Sequence, residues 1–428
     1  MTGFDIYSAI GGTDEKFLEE SESPCKRKTD LLPIVSAVSV AASIAIIAAG
    51  SFLTTRVIDP QPGVTYEITT AGINSETAFT DDAGGGIRQD IEKIDSAVSF
   101  GGMGFEGLMA YDISELSTPE PWNAEMKLDS LPVYRDLSYS AELSSAGCAV
   151  YLSEEQLNEK AENIAALLDT EIISKETTYI RDICRDDLPE EIKNSVLCLD
   201  AKCSGSITVT VYGEGRIRIL FENSKTPPEY RFTYHNTTAE KAEEVLARLS
   251  EEFSDLLQYD DPVCYSYADR TFSGEENRSY YVYNKSEDPV QDILNFSLTY
   301  ASFAPNDRGD LMCIWLNDSL CSAEYMGNYP VISADEAESL LLNGRYYSSV
   351  PDDYLRNGTV SADDIAKTEL VYRDSSREEY YQPYYRFYVE LDSGKSDSAD
   401  GLKTFGIFYV PAVKAEYLND FNVNITFN

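Results

Sequence analysis

Apolar and polar residues alternate along several short stretches of the chain. Ile207, Val209 and Val211 alternate with Thr and Tyr, and the alternation resumes at residues 217–221 after a glycine-containing turn at residues 213–215. A period of two places every second side chain on the same face of a strand. The pattern therefore predicts a β-hairpin with one buried face.

Three other stretches repeat apolar residues at helical spacing, and a capping signature opens each one. A Ser or Thr followed three residues later by Glu or Gln can satisfy the free amides at a helix N-terminus. The signature predicts helices that open with the pairs Ser153/Gln156, Thr237/Glu240 and Ser333/Glu336.

Further strands are indicated after the second and third predicted helices. They lie near Val263–Tyr267, Tyr280–Tyr283, Phe296–Phe303, Leu311–Leu316, Glu369–Tyr372, Tyr384–Leu391 and Thr404–Val410. A helix with one apolar stripe can pack on a sheet with one apolar face. The predicted fold class is therefore α+β, built from tandem units of one helix packed on an antiparallel sheet.

Residues 31–54 contain no charged side chain and predict a single transmembrane helix. These 24 residues would reach about 36 Å as a helix, enough to cross a hydrocarbon core of ~30 Å. Lys26, Arg27 and Lys28 precede the segment, and only Arg56 follows it closely. The positive-inside bias places the N-terminus in the cytoplasm and the C-terminal domain outside the cell membrane. A cleaved signal peptide is the alternative, but it would have a shorter apolar run and a shorter start.

Changes in composition along the chain predict six segments. They are a cytoplasmic tail (1–30), the transmembrane helix (31–54), a flexible stalk (55–99), a first α+β unit with an N-terminal extension (100–235), a second unit (236–328) and a third (329–428). The stalk is inferred from its many Thr, Gly, Asp and Ser residues and few large apolar ones.

The net charge of the chain is −40, from 74 acidic and 34 basic residues. Residues 1–30 hold 7 of the acids and 4 of the bases, which leaves a net charge of −37 for the remainder. Such a surface repels nucleic acid, so no nucleic-acid partner is expected. It suits solubility, cations or basic partners.

The sequence offers little for catalysis. His235 is the only histidine, which excludes zinc sites that need two histidines, and no G-x-S-x-G elbow is present for a serine nucleophile. A pair of carboxylates acting on a glycan stays open, while no acidic stretch fits the spaced calcium loop. We predict no catalytic residue, no cofactor and no metal site.

Three short motifs are better explained by structure than by function. Residues 102–107 fit G-x-G-x-x-G, but the following residues read as a strand, whereas a dinucleotide site needs a helix there. Arg308-Gly309-Asp310 is an adhesion-type tripeptide that recurs by chance. Seven cysteines follow the membrane segment, an odd number that indicates no disulfide framework, although Cys198/Cys203 and Cys313/Cys321 are close in sequence.

The 30 tyrosines of the chain suggest a recognition surface. In the stretch from Tyr384 to Leu391, every second residue is apolar or aromatic and would face a helix. Tyr384, Arg386 and Tyr388 alternate with them and would form an amphipathic outer face. Tyr and Arg are enriched in recognition patches, and they also stabilise sheets as cross-strand pairs, which is the interpretation we favour.

Three stretches resemble known groups of proteins. FDIYSAIGGTDEKFLEE followed by KRK, and residues 100–134 (FGGMGFEGLMAYDISELSTPEPWNAEMKLDSLPVY), resemble uncharacterised single-pass membrane proteins of clostridial-type bacteria. PVISADEAESLLL with YYQPYYRFYVEL and TFGIFYVPAV resembles the extracytoplasmic domains of YycI-type accessory regulators and PepSY-like modules. The second resemblance implies a helix-on-sheet ectodomain that modulates a membrane sensor kinase.

These features predict a membrane-anchored sensory or regulatory protein. Its ectodomain would bind a protein, a peptide or an envelope component, and the cytoplasmic tail would relay the signal or dock a partner. A surface display or adhesion protein with a stalked ectodomain is the first alternative, and a carboxylate-based envelope enzyme is the second.

Overall fold

The computed structural model describes residues 91–95, 105–140, 143, 149–183, 188–374, 378–392, 399–419 and 425–426. The predicted tail (1–30), transmembrane helix (31–54) and most of the stalk (55–99) lie outside the described residues. Among the residues that are described, no helix has the length and apolar character needed to cross a membrane.

The described elements alternate between strands and short helices. The helices are α1 (Glu154–Leu167), α2 (Ile180–Ile183), α3 (Glu190–Lys193), α4 (Ala239–Glu252), α5 (Ser254–Leu257), α6 (Pro289–Leu298) and α7 (Ala334–Leu342). The strands are β1 (Gly107–Ala110), β2 (Ser130–Asp136), β3 (Ile172–Tyr179), β4 (Val196–Cys203), β5 (Ile207–Tyr212), β6 (Ile217–Phe221), β7 (Pro262–Arg270), β8 (Glu276–Asn284), β9 (Thr299–Pro305), β10 (Leu311–Asp318), β11 (Ala323–Pro330), β12 (Tyr347–Ser348), β13 (Ile365–Tyr372), β14 (Tyr380–Tyr381), β15 (Pro383–Glu390), β16 (Lys403–Pro411) and β17 (Ile425–Thr426).

The α+β class is confirmed, and the strands form three sheets. The largest has eight strands in the order β3-β4-β5-β6-β10-β9-β8-β7. A six-stranded sheet has the order β13-β15-β16-β12-β17, and its sixth strand, β1, also pairs with β16. A small sheet has the order β11-β2-β14. All pairings are antiparallel except the short one between β12 and β17.

The sheets do not follow the expected division into tandem units. Strands on both sides of the expected boundary at residues 235/236 join in the eight-stranded sheet, where β6 pairs directly with β10. Strand β1 pairs with β16, and β2 pairs with β11 and β14, so the start of the expected first unit lies in sheets with the expected third unit. Strand pairing between distant segments therefore ties all three expected units together.

The end of the expected stalk is part of the fold. Ile94 is fully buried and forms a bridge with Leu418. Its amide donates to the Tyr417 carbonyl at 3.0 Å, and its carbonyl accepts from the Asn419 amide at 2.9 Å. For residues 91–95 the expectation of a flexible stalk is therefore wrong, because these backbone bonds and the burial of Ile94 fix them against the C-terminal strands.

Two of the three predicted helix starts are confirmed. Ser153 and Ser333 each accept a hydrogen bond from the amide three residues on, and the side chain there returns one to the cap amide. The third prediction is wrong by one residue: Thr238 caps α4 by accepting from the Lys241 amide. The Thr237 hydroxyl instead accepts from the Thr233 amide.

The hairpin of β5 and β6 is confirmed, and Val209 pairs with Ile219 in it. The strand expected over Phe296–Phe303 is wrong in its first part, because α6 continues to Leu298 before β9 begins. Asp288 caps this helix by accepting from the Gln291 amide, and Pro289 occupies its first position. The unbroken apolar run across the junction did not distinguish helix from strand.

Helices α1 and α4 cover one face of the eight-stranded sheet. The core beneath them contains Leu157 and Ile164 of α1, Val245 of α4, and Val209 and Ile219 of the hairpin. The β8–β9 end of the opposite face lies against the six-stranded sheet, where Tyr283 belongs to the same core as Phe387 and Phe408. The eight-stranded sheet is therefore the middle layer at this end of the molecule.

Candidate functional site

The face predicted for recognition is not exposed. Tyr384 is 0% exposed and Tyr388 is 4% exposed. The residues that alternate with them are buried as well, for example Phe387 at 0%. The Arg386 guanidinium is partly buried and donates from Nε to Glu369 Oε2 at 2.7 Å. The prediction that Tyr384, Arg386 and Tyr388 form an exposed outer face is therefore wrong, because both faces of β15 are covered.

The covering layer is the tyrosine-rich end of the eight-stranded sheet. Burial raises the pKa of Tyr265 and Tyr267 of β7 well above the usual value for tyrosine. Arg386 is near enough to Tyr265 to oppose this rise, and Tyr388 is near enough to Tyr267 to add to it. The Tyr265 ring also stacks on Tyr281 of β8, with centroids 5.3 Å apart. The tyrosines noted in the sequence therefore serve largely as the contact layer between two sheets.

Glu369 is the centre of a buried charge network in this layer. It is 0% exposed, and its carboxylate accepts from Arg386, from Tyr388 Oη at 3.0 Å and from Lys367 Nζ at 2.5 Å. Burial would raise the pKa of Glu369, but the two cations together hold that pKa below its ordinary value. The network thus compensates the cost of placing an ionised carboxylate between two sheets.

A polar cavity lies where the three sheets meet. It opens to solvent and has room at its centre for about one water-sized group. Its walls come from the end of β2, the β5–β6 turn, the end of β10 and the residues after it, the end of β13 and strand β14. They are formed by Asp136, Ser138, Ala149, Glu214, Arg216, Asn317, Asp318, Ser319, Ser322, Asp374 and Tyr381.

The cavity carries four carboxylates and one guanidinium. Arg216 Nη2 lies 3.4 Å from Glu214 Oε1, while Glu214 Oε2 is buried without a hydrogen-bond partner among the described residues. Burial raises the pKa of Glu214 to about 7, Arg216 lowers it, and Asp374 and Asp136 raise it further. The walls therefore hold more negative charge than Arg216 neutralises.

The β5–β6 turn brings Glu214 and Arg216 into the cavity because Gly215 passes close to Cys321. Gly215 has a φ of +102°, and a Cβ there would collide with Cys321 Sγ. The thiol in turn contacts the Glu214 carbonyl at 3.4 Å. Only glycine combines this backbone conformation with such a close approach.

An aromatic patch adjoins the cavity on the same face of the eight-stranded sheet. We define this patch as Tyr212, Arg218 and Trp315, all half-buried. Tyr212 stacks on Trp315 with centroids 5.8 Å apart, and the Arg218 guanidinium lies 5.7 Å from the Trp315 ring. Side chains two residues apart on a strand share a face, so Trp315 stands next to Asn317 of the cavity wall.

Asn317 ties the patch to the cavity floor. It is 6% exposed and donates from Nδ2 to Asp374 Oδ2 at 2.9 Å and to the Leu298 carbonyl at 3.1 Å. These bonds fix the position of one cavity carboxylate relative to the end of β10. The patch and the cavity together form one surface, which we call the junction site.

The remaining motifs stay structural. His235 is exposed, with Nδ1 2.7 Å from the Glu276 carbonyl. Gly107, the last glycine of the G-x-G-x-x-G stretch, begins strand β1 rather than a helix. In the Arg308-Gly309-Asp310 tripeptide, Asp310 is 4% exposed and accepts from the Thr226 amide at 3.1 Å. An adhesion partner could not reach that carboxylate.

Five of the cysteines lie among the described residues, and all five are free thiols, including those of both pairs noted in the sequence. Burial raises the pKa of Cys198 to about 11 and that of Cys321 to about 12, so neither is a ready nucleophile. No group of three or more His, Cys, Asp or Glu side chains in the described part of the chain is placed to hold a metal ion.

The junction site was not predicted from the sequence. Its residues come from strands and turns that lie far apart in the sequence. Only the Gly213-Glu214-Gly215-Arg216 turn carries a local signal, namely a glycine before each of two charged residues. No family model, curated protein sequence or solved structure matches the chain.

Proposed function

We propose that the chain is a membrane-anchored extracytoplasmic sensory or regulatory protein that binds a protein or peptide partner, and that it is not an enzyme. In this proposal residues 31–54 form the single transmembrane helix that precedes the α+β ectodomain, and residues 1–30 lie in the cytoplasm. The uncharged segment after Lys26, Arg27 and Lys28 supports this orientation.

The single observation that carries the binding role is the composition of the junction site. Trp, Tyr and Arg are the residues most enriched at energetically dominant positions of protein interfaces. Tyr212, Arg218 and Trp315 stay half-buried, although most tyrosines of the chain's two large sheets are covered. The net charge of −37 after residue 30 favours a basic partner.

Protease treatment of intact cells tests the orientation. A full-length chain with one epitope tag at each end should lose the C-terminal tag and keep a short N-terminal fragment. Replacing Lys26, Arg27 and Lys28 by Glu removes the charge asymmetry and should reduce this protection. Digestion of the N-terminal tag in unlysed cells would refute the proposed topology.

Photo-crosslinking tests the regulatory role against surface display. A photoreactive residue within the tail, for example at Tyr7, should capture a cytoplasmic partner in living cells. The same probe at Trp315 should capture an extracytoplasmic one, and Ile173, which is 72% exposed at the far edge strand of the sheet, provides the matched control position. Capture at Trp315 with none along the tail would favour the display alternative.

A further inference from the structure

The cavity of the junction site has a wall that is rich in acceptors. Asp136, Glu214, Asp318 and Asp374 supply carboxylates, and Tyr381 supplies a phenol oxygen. Among the described lining residues the only cationic side chain is Arg216, and Lys160 lies near enough to Asp318 to oppose the rise in its pKa that burial causes. A ligand that completes this site should therefore carry positive charge and several N–H donors.

One buried carboxylate oxygen and one phenol hydroxyl in the wall have no hydrogen-bond partner among the described residues. Glu214 Oε2 has no hydrogen bond among the described residues. Tyr381 is 4% exposed, lines the cavity, and its hydroxyl makes no hydrogen bond within the described part of the chain. Buried polar atoms are nearly always paired with protein, water or ligand. Glu214 Oε2 therefore indicates that the cavity can contain a further polar group, and the Tyr381 hydroxyl is a second group available to it.

We infer that the cavity binds a primary ammonium group on an alkyl stem, as in a lysine side chain of the partner, with the stem lying along the aromatic patch. This inference rests on the proposed binding function and names the group that is recognised. An ammonium group presents three N–H donors, which suit the carboxylates and the Tyr381 oxygen.

The patch has the position and chemistry needed for the stem. Trp315 lies two residues from Asn317 along β10, a separation of about 7 Å that the four-carbon stem of lysine can cover. The stem would pack on the Tyr212 and Trp315 rings while its charge entered the acidic cavity. A guanidinium is larger and flat, and Arg216 already occupies the wall with that group.

Calorimetric titration of the purified full-length chain with n-butylammonium tests the site without a known partner. We expect saturable binding. Tetramethylammonium, which has the same charge but no N–H donor, should bind at least tenfold more weakly. Equal binding of the two cations would show that the acidic surface attracts any cation and would overturn the inference.

Two substitutions locate the binding. Glu214→Gln should weaken n-butylammonium at least tenfold, while Glu176→Gln, which removes the same charge from an exposed position on β3, should leave it unchanged. Tyr381→Phe removes a hydroxyl without a partner, so it should weaken binding without lowering the melting temperature. Loss of folding in Glu214→Gln would leave Tyr381→Phe as the deciding variant, and full affinity in Tyr381→Phe would contradict the proposed site.

A second pair of ligands distinguishes a partner lysine from a free amine. Nα-acetyl-lysine amide should bind more tightly than n-butylammonium if the site recognises a lysine on a chain, and Nε-acetylation should abolish binding. Tighter binding of n-butylammonium would instead assign a small free amine as the ligand. If no amine binds but crosslinking at Trp315 still captures a partner, the inference fails while the proposed function stands.

Discussion

Glu369→Gln should destabilise the fold strongly because Glu369 is a fully buried anion in direct contact with two half-buried cations. Arg386 Nη2 and Lys367 Nζ each lie 2.5 Å from its carboxylate, which is 1% exposed. A unit charge pair about 4 Å apart is worth ~4 kcal/mol at an effective dielectric constant of about 20. Glutamine keeps an acceptor for Tyr388 but leaves both cations without a negatively charged partner in this network. We therefore expect the free energy of unfolding to fall by ~3–5 kcal/mol.

Glu390→Gln is the matched control, because Glu390 lies on β15, the strand that pairs with the β13 strand of Glu369. Glu390 also pairs with two cations, Lys403 and Arg356, both at 2.8 Å, but its side chain is 26% exposed. Solvent screens such pairs, so we expect a loss of ~0–1 kcal/mol. The two variants remove the same charge from β13 and β15 and differ mainly in burial.

Urea unfolding of the full-length chain, followed by tryptophan fluorescence, measures both losses. The pKa of Glu369 is lowered in the folded state, so its stabilising contribution is present above its unfolded pKa near 4.5 and is lost as the pH falls. The difference between wild type and Glu369→Gln should therefore shrink at acid pH. Equal losses for Glu369→Gln and Glu390→Gln at pH 7 would refute the reasoning.

Three further predictions follow from the buried layer between the sheets. Phe387→Ala and Tyr388→Ala should each lower the free energy of unfolding by ~3–5 kcal/mol in urea, since both rings are buried. A loss below ~1 kcal/mol for Tyr388→Ala would instead support the prediction that Tyr388 lies on an exposed face. Burial, and after it the nearby Glu369, raise the pKa of Glu120 to about 8, while Arg386 opposes the rise; Tyr283 also lies near this carboxyl group. The contribution of Glu120 to stability therefore falls as the pH rises from about 4.5 to about 8. Glu120→Gln should therefore be ~2–4 kcal/mol more stable than wild type at pH 9 and similar near pH 4, by melts at both values. The chain has two tryptophans, so Trp122→Phe and Trp315→Phe each leave one reporter, and their unfolding curves should coincide if the sheets unfold together.

Local features of the fold could be predicted from the sequence because they depend on residues close in the chain. The capping boxes at Ser153 and Ser333 and the hairpin at Gly213-Glu214-Gly215 each need only a few neighbouring residues. The long-range pairings could not be predicted in this way. Alternation shows that a strand has two faces, but it does not identify the strand on either side.

The prediction of an exposed recognition face on β15 was wrong for a related reason. Tyr384, Arg386 and Tyr388 carry polar atoms, and the charge of Arg386 suggested contact with water. In the fold the Arg386 guanidinium and the Tyr388 hydroxyl donate to Glu369 on the neighbouring strand β13, a partner that the pattern along β15 does not show. A buried face with paired charges and an exposed amphipathic face have the same residue pattern along one strand.

The charge network around Glu369 and the cavity of the junction site differ in whether their polar atoms have hydrogen-bond partners. Around Glu369, each carboxylate oxygen has a cation or a hydroxyl within hydrogen-bond distance, so the network is complete without a ligand. At the junction site, Glu214 Oε2 and the Tyr381 hydroxyl stay without such partners among the described residues, although both lie in the wall of a cavity that opens to solvent. A satisfied buried network holds two sheets together, whereas an incomplete one beside a half-buried Trp, Tyr and Arg patch leaves acceptors for another molecule. This difference in hydrogen bonding is the reason why we propose a stabilising role for the first group of residues and a binding role for the second.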